Sequence, residues 1–120
     1  MTEEKKENPY KGLTVEDGER EFSNVFRDGL RFGLRMPLPY EKTQIISTTS
    51  RVLGGGDIKS YKPEEYEFVR MIVTLNFVII DHPPQWKGAD KCADEDLLWE
   101  IWRFYIKSEE EFQDRLKKNS

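Results

Sequence analysis

The apolar positions of the chain change period several times, and each period predicts an element. After Thr14, three apolar residues have the i, i+3, i+4 spacing of one helical face: Phe22, Val25 and Phe26. This helix is predicted to end at Asp28-Gly29.

Residues 30–38 alternate with a period of two, which indicates a short β element with one face inward. Pro37 lacks a backbone N–H, so a strand here is expected at a sheet edge or to stop early. A helix running through Gly29 and Gly33 is the alternative.

Two further helices are predicted in the middle of the chain. After Pro39 the apolar residues adopt helical spacing, and Gly54-Gly55-Gly56 is expected to stop that helix, because glycine accepts the left-handed conformation of a C-terminal cap. A run of Ser and Thr makes the helix weak by intrinsic propensity. The next helix is predicted to start at Pro63 and to end at Asp81-His82-Pro83-Pro84. A strand over residues 71–80 is the alternative, since many of these residues are β-branched.

Residues 66–80 are apolar on nearly every side of the predicted helix. Such a helix must be surrounded, because an exposed apolar surface of that size is typical of an interface. We therefore expect it to be the central helix of the core. Two or three short, semi-polar neighbours can cover only about two of its sides, so a surplus of apolar surface is expected to remain.

The last helix has the most complete set of signals. Asp94 can cap its N-terminus, carboxylates occupy its first turn, and basic residues lie at its end, where the helix dipole favours them. The pattern as a whole predicts a mainly α protein: a single helical domain of three to four helices at residues 14–120, with a possible short β element near residues 30–38. Residues 1–13 carry too few apolar groups to offset the entropy of ordering, so they are predicted to form a flexible N-terminal arm.

Net charge and cysteine content limit which partners and which cellular compartment are expected. The net charge of −4 argues against the phosphate backbone of a nucleic acid as the main partner. Arg27, Arg31 and Arg35 are expected to form a solvated face or ion pairs. Cys92 is the one cysteine, which excludes an internal disulfide and suits a reducing compartment. The charged N-terminus lacks the apolar segment of a signal peptide, and no apolar run reaches the roughly 20 residues that cross a bilayer. We expect a cytoplasmic protein that binds neither nucleic acid nor membrane.

No set of residues in the sequence predicts catalysis, a cofactor or a metal site. His82 and Cys92 lie ten residues apart, but a catalytic dyad needs contact and an orienting third group. One histidine and one cysteine also cannot supply the usual ligands of zinc. The Gly54-Gly55-Gly56 run lacks the Gly-Lys-Ser/Thr of a phosphate-binding loop. The chain is therefore predicted not to be an enzyme. A small enzyme that uses His82 is an alternative, ranked third after the two binding functions given below.

Three aromatic residues outside the main apolar stripes are the candidate interface anchors: Trp99, Phe104 and Trp86. Trp99 and Phe104 point away from the main face of the last helix, and Trp86 follows the Pro-Pro turn. These rings predict binding to other proteins or to a second copy in a homo-oligomer. A monomer whose arm or strand covers the rings is the alternative.

The order of segments from Leu30 resembles a family of proteins. An extended piece with Arg and Phe ends in Pro-Leu-Pro39, and a helix closes with Ser50-Arg-Val-Leu-Gly-Gly55. Pro-Pro-Gln-Trp86, Asp96-Leu-Leu-Trp99 and a final helix with Glu111-Phe112 follow. Over about residues 30–116 this is similar to small tail assembly chaperones and to baseplate or tail accessory proteins of tailed bacteriophages. The resemblance implies a non-enzymatic, protein-binding role in virion assembly or structure, with phage structural proteins as partners, and it assigns no residue roles. A cytosolic regulatory or adaptor domain is the alternative.

Overall fold

A β-hairpin occupies the region where the first helix was predicted. In the computed structural model, which describes residues 11–118, β1 (Glu21–Phe26) pairs antiparallel with β2 (Leu30–Arg35). The loop between them reverses at Asp28 and Gly29, whose φ angles are 57° and 74°. Aspartate and glycine accept this left-handed backbone, and Asp-Gly between apolar runs is typical of a hairpin.

The prediction of a helix after Thr14 is therefore wrong, and its physical reason is a shared spacing. Phe22 and Phe26 are four residues apart, so they lie on one face of a helix and equally on one face of a strand. Phe22 pairs with Leu34 and both Phe residues face the core, whereas Val25 is on the opposite face and is 52% exposed.

A third strand makes the protein a mixed α/β domain. β3 (Ile79–Asp81) pairs antiparallel with β2, and the sheet has the order β1-β2-β3. The expectation of a mainly α domain of three to four helices is therefore wrong, since three α-helices accompany a three-stranded antiparallel sheet. The cause lies partly in residues 71–80, where the helix ends at Val78 and the β-branched residues that follow extend and pair with β2.

The β element predicted near residues 30–38 is confirmed as β2, the central strand. Its inward residues Phe32 and Leu34 are 1% and 0% exposed, and Met36 just beyond it is 0% exposed. The strand ends at Arg35, before Pro37 would have removed a hydrogen-bond donor from the ladder.

The three α-helices begin and end largely where their signals predicted. They are α1 (Pro39–Val52), α2 (Pro63–Val78) and α3 (Glu95–Lys118). After α1, Gly54 and Gly55 have φ angles of 83° and 71°, and the Gly55 N–H donates to the Ser50 carbonyl at 2.8 Å. At the start of α3, a carboxylate oxygen of Asp94 accepts from the Leu97 N–H at 3.2 Å, which is the predicted cap.

The core lies between one face of the sheet and the inner faces of α2 and α3. Its side chains of 3% exposure or less are Phe32, Leu34, Met36, Met71, Leu75, Val78, Ala89, Leu98, Ile101, Trp102 and Tyr105. α2 contributes Met71, Leu75 and Val78, so the predicted central helix is a core helix on this side.

Arg20 is a buried cation that no sequence pattern indicated. Its side chain is 6% exposed, and it donates from Nε to the Met36 carbonyl at 2.9 Å. Its Nη1 and Nη2 atoms pair with Asp17 at 3.0 Å and with Glu41 at 2.5 Å. The same Glu41 oxygen accepts from the Leu38 N–H at 2.8 Å. Arg20 therefore joins the start of β1 to the start of α1.

The N-terminal arm is described only at its end. Lys11–Leu13 forms a short 3₁₀ turn that lies against α3, and Leu13 is 65% exposed. Residues 1–10, where most of the predicted flexible arm falls, are outside the described residues. Among residues 11–118, no helix has the length and apolar character that crossing a membrane requires.

Candidate functional site: a groove along helix α2

An apolar groove of about 540 Å³ runs along the outer side of α2. We call it the α2 groove. The C-terminal half of α1 forms one wall, and the segment leading into α3 forms the other. The lining residues are Thr48, Val52, Phe68, Val69, Ile72, Val73, Asn76, Phe77, Ala89, Asp90, Cys92, Glu95 and Leu98. Its volume is within the range of pockets that bind ligands in proteins, roughly 300–1,000 Å³.

The groove contains the surplus apolar surface that the sequence predicted for residues 66–80. Phe77, on its floor, is 43% exposed, and Val52, on the α1 wall, is 61% exposed. Ile72 is only partly buried, because it lines the groove on the side of α2 that faces away from the sheet. The core therefore covers the inner side of α2 and leaves its outer side open.

The opposite wall is held by one asparagine. The turn of residues 88–92, which we call the Gly88 turn, packs beside α2. The Asn76 side-chain oxygen accepts from the Ala89 N–H at 2.7 Å, and the Asn76 amide donates to Asp90 at 3.0 Å. Gly88 has a φ of 120°, and a Cβ atom there would lie 2.8 Å from the Asp90 carboxylate. The positive φ therefore favours glycine at this position, and Asn76 joins the turn to α2 by two hydrogen bonds.

The charged groups that line the groove are both acidic. The pKa of Asp90 is lowered from its ordinary value of 3.8, chiefly by the hydrogen bond from Asn76, then by a backbone bond and by Lys91. Glu95 lies in the first turn of α3 and is exposed. No Lys or Arg is among the described residues that line the groove. The rim on the α3 side is therefore negative.

The three predicted interface residues lie outside the groove lining. Trp99 packs on Phe68 with ring centroids 6.2 Å apart, so it supports the groove from behind. Trp86 and Phe104 lie on the sheet side, where the aromatic rings form a chain. In that chain Trp86 contacts Phe32 at 5.0 Å, Phe32 contacts Phe26 at 5.9 Å, and Phe26 contacts Phe104 at 5.8 Å. All three candidates are partly buried against the core, and Phe26 of β1 packs against the Phe104 ring.

The structure does not bring His82 and Cys92 together as a dyad. The His82 Nδ1 atom lies 2.9 Å from the Pro83 carbonyl oxygen. The Cys92 thiol donates to the Asp94 carbonyl at 3.6 Å. Among residues 11–118, no group of three or more His, Cys, Asp or Glu side chains is placed to hold a metal ion.

Of the arginines that were expected in ion pairs or on a solvated face, Arg27 forms two ion pairs and Arg35 forms one. Arg27 pairs with Asp94 at 3.2 Å and with Glu100, whose hydrogen bond raises the pKa of Arg27. Arg35 pairs with Glu21 at 3.0 Å. These contacts neutralise the local basic character around the hairpin.

Comparison of the chain with protein-family models, with curated proteins and with solved structures found no significant match. The resemblance to tail assembly and accessory proteins therefore stays a prediction.

The groove residues Val52, Val69, Ile72 and Phe77 were not predicted as a site. Two signals in the sequence pointed toward them: the all-round apolar character of residues 66–80, and the short Ser and Thr side chains of α1 beside it. What no pattern could give was which side of α2 the sheet would cover.

Proposed function

We propose that the chain is a non-enzymatic protein-binding module and that the α2 groove is its docking surface. The observation that carries this proposal is an apolar surface left open beside a well-packed core. Exposed apolar surface and concave pockets of this volume are typical features of protein-binding and ligand-binding sites. The segment order that resembles tail assembly and accessory proteins supports, as the setting of this activity, the assembly or structure of a bacteriophage tail or baseplate.

A regulatory or adaptor domain in the cytoplasm is the second candidate. It would use the same groove, so the groove does not separate the two functions. The identity of the neighbouring genes separates them, since a phage assembly protein is encoded beside structural proteins of the virion.

The experiment is co-expression with the products of neighbouring genes, followed by co-purification. Val52→Lys places a charge in the groove at a position that is 61% exposed, so the fold is expected to survive. Ile46→Lys is the matched control, because Ile46 is on the same helix and 68% exposed but does not line the groove.

A virion protein that co-purifies with the wild type and with Ile46→Lys, and that is lost with Val52→Lys, supports the proposal. A partner that binds all three forms equally would place the interface elsewhere. If no neighbouring product binds, the assembly role is contradicted.

A further inference from the structure

We propose that the occupant of the α2 groove is an amphipathic helix of a partner protein. It presents apolar residues at i, i+3 or i+4, and i+7 to the groove and a Lys or Arg to Glu95. This inference rests on the proposed function and names the kind of segment that the groove takes.

The walls of the groove favour a helix over an extended segment. α1 and α2 use their backbone hydrogen bonds internally, and the Ala89 N–H of the Gly88 turn is already bonded to Asn76. An extended peptide gains affinity by pairing its backbone with a free sheet edge, and a helix satisfies its own backbone. A groove with helical walls therefore suits a segment that needs no backbone partner.

The length of the groove matches two helical turns. Its floor runs from Phe68 to Phe77, which at 1.5 Å per residue is about 13.5 Å. Apolar residues at i and i+7 of a partner helix are about 10.5 Å apart along its axis by the same rise. Three anchors on one helical face therefore fit between the two ends of the groove.

The charge of the groove rim determines which sign of charge is favoured on the partner helix. The Asp90 carboxylate accepts a hydrogen bond from Asn76 and forms an ion pair with Lys91. The Glu95 carboxylate has no ion pair within the described part of the chain. A cation beside Glu95 would gain a partner, and a carboxylate there would be repelled by Glu95. The groove therefore selects a basic flank.

The test is selection from a random library of 16-residue peptides displayed against the intact chain. Peptides that also bind Val52→Lys are removed, so that only groove-dependent binders remain. Their sequences are then read for apolar periodicity and charge, and selected peptides are titrated by fluorescence anisotropy against wild type, Glu95→Gln and Asp96→Asn. Asp96 is the matched control, because it lies in the same helical turn but does not line the groove.

The expected binders show a helical apolar period with Lys or Arg beside it. Their affinity is expected to fall roughly two- to five-fold with Glu95→Gln at low salt, as for an exposed ion pair, and to be unchanged with Asp96→Asn. Binders with a period of two, binders with an acidic flank, or the absence of groove-dependent binders would overturn the inference. If Val52→Lys still abolishes binding of a virion protein in that case, the proposed function stands and only the helical occupant is wrong.

Discussion

Replacing Asn76 by alanine tests whether a single side chain holds the outer wall of the α2 groove. Ala89 is 1% exposed and its N–H donates to Asn76 at 2.7 Å. Without that acceptor the N–H is left unpaired, at a cost of roughly 1–3 kcal/mol. We expect Asn76→Ala to lower the free energy of unfolding by about 2 kcal/mol, which for a 120-residue domain is a fall in Tm of roughly 8 °C.

Two measurements separate the global effect from the local one. Urea unfolding followed by tryptophan fluorescence reports the global stability. Alkylation of Cys92, the one cysteine, reports opening of the Gly88 turn in the native state, because Cys92 ends that turn. We expect Asn76→Ala to lower the urea midpoint and to speed alkylation, whereas Gln113→Ala, an exposed helical control, changes neither. An unchanged midpoint together with an unchanged alkylation rate for Asn76→Ala would refute the account of this wall.

Asn76→Asp extends the test to pH. The variant keeps the acceptor for the Ala89 N–H but places a second carboxylate beside Asp90, whose wild-type pKa is lowered by the hydrogen bond from Asn76. A group with a lowered pKa stabilises the fold above its unfolded pKa of 3.8 and loses that contribution as the pH falls through its folded pKa. The wild type therefore loses this contribution mainly below the unfolded pKa of 3.8. In the variant, protonation of one of the two adjacent carboxylates relieves their repulsion at higher pH. The stability difference between the two proteins is expected to shrink between pH 7 and pH 4, and a constant difference would contradict this reasoning.

Three further predictions follow from buried or strained groups. Gly88→Ala is expected to cost about 1–3 kcal/mol in urea unfolding because φ is 120°, whereas Gly56→Ala, with open space at its Cβ, is expected to be near neutral. Arg20→Ala is expected to cost about 2–4 kcal/mol, because the Met36 carbonyl loses its donor and the partly buried Glu41 carboxylate loses its cation. Asp17→Ala, at a side chain that is 70% exposed, is expected to cost less than about 1 kcal/mol. Burial raises the pKa of Tyr105 above its ordinary value of 10.0, so the contribution of Tyr105 to stability is full below pH 10 and is lost as the pH rises further. In Tyr105→Phe, the urea midpoint is expected to fall less steeply than in the wild type as the pH rises above 10.

The hairpin shows why part of the fold escaped the pattern. A spacing of four residues between Phe22 and Phe26 suits both periods, so only the chemistry of the loop could decide between helix and strand. Asp28-Gly29 followed by the alternating residues of β2 is a hairpin signal, and it competes with the use of the same pair as a helix stop. By contrast, the start signals Pro39, Pro63 and Asp94 are local, and the helices begin beside them.

The sequence predicted that some apolar surface would stay uncovered, but it did not predict where that surface would lie. The apolar excess of residues 66–80 predicted uncovered surface, because composition alone limits how much of a helix its neighbours can bury. The position of the groove depends on contacts between distant residues, such as those of Asn76 with the Gly88 turn. The strand at Ile79–Asp81 has the same origin, since it forms by pairing with β2 and not by any preference that the helical period could contain.

The groove exists because α1 presents short side chains to α2. Thr48 lines the α1 wall, and the neighbouring Thr49 hydroxyl bonds back to the Ile45 carbonyl at 2.8 Å, so neither side chain reaches across to the floor. A leucine at position 48 would bury apolar area and suit a helix better than threonine does. The chain therefore combines weak helix propensity with poor filling at the same place. Proteins break such local rules mainly at functional sites, and this supports placing the docking surface at the α2 groove and not at the covered aromatic chain of the sheet.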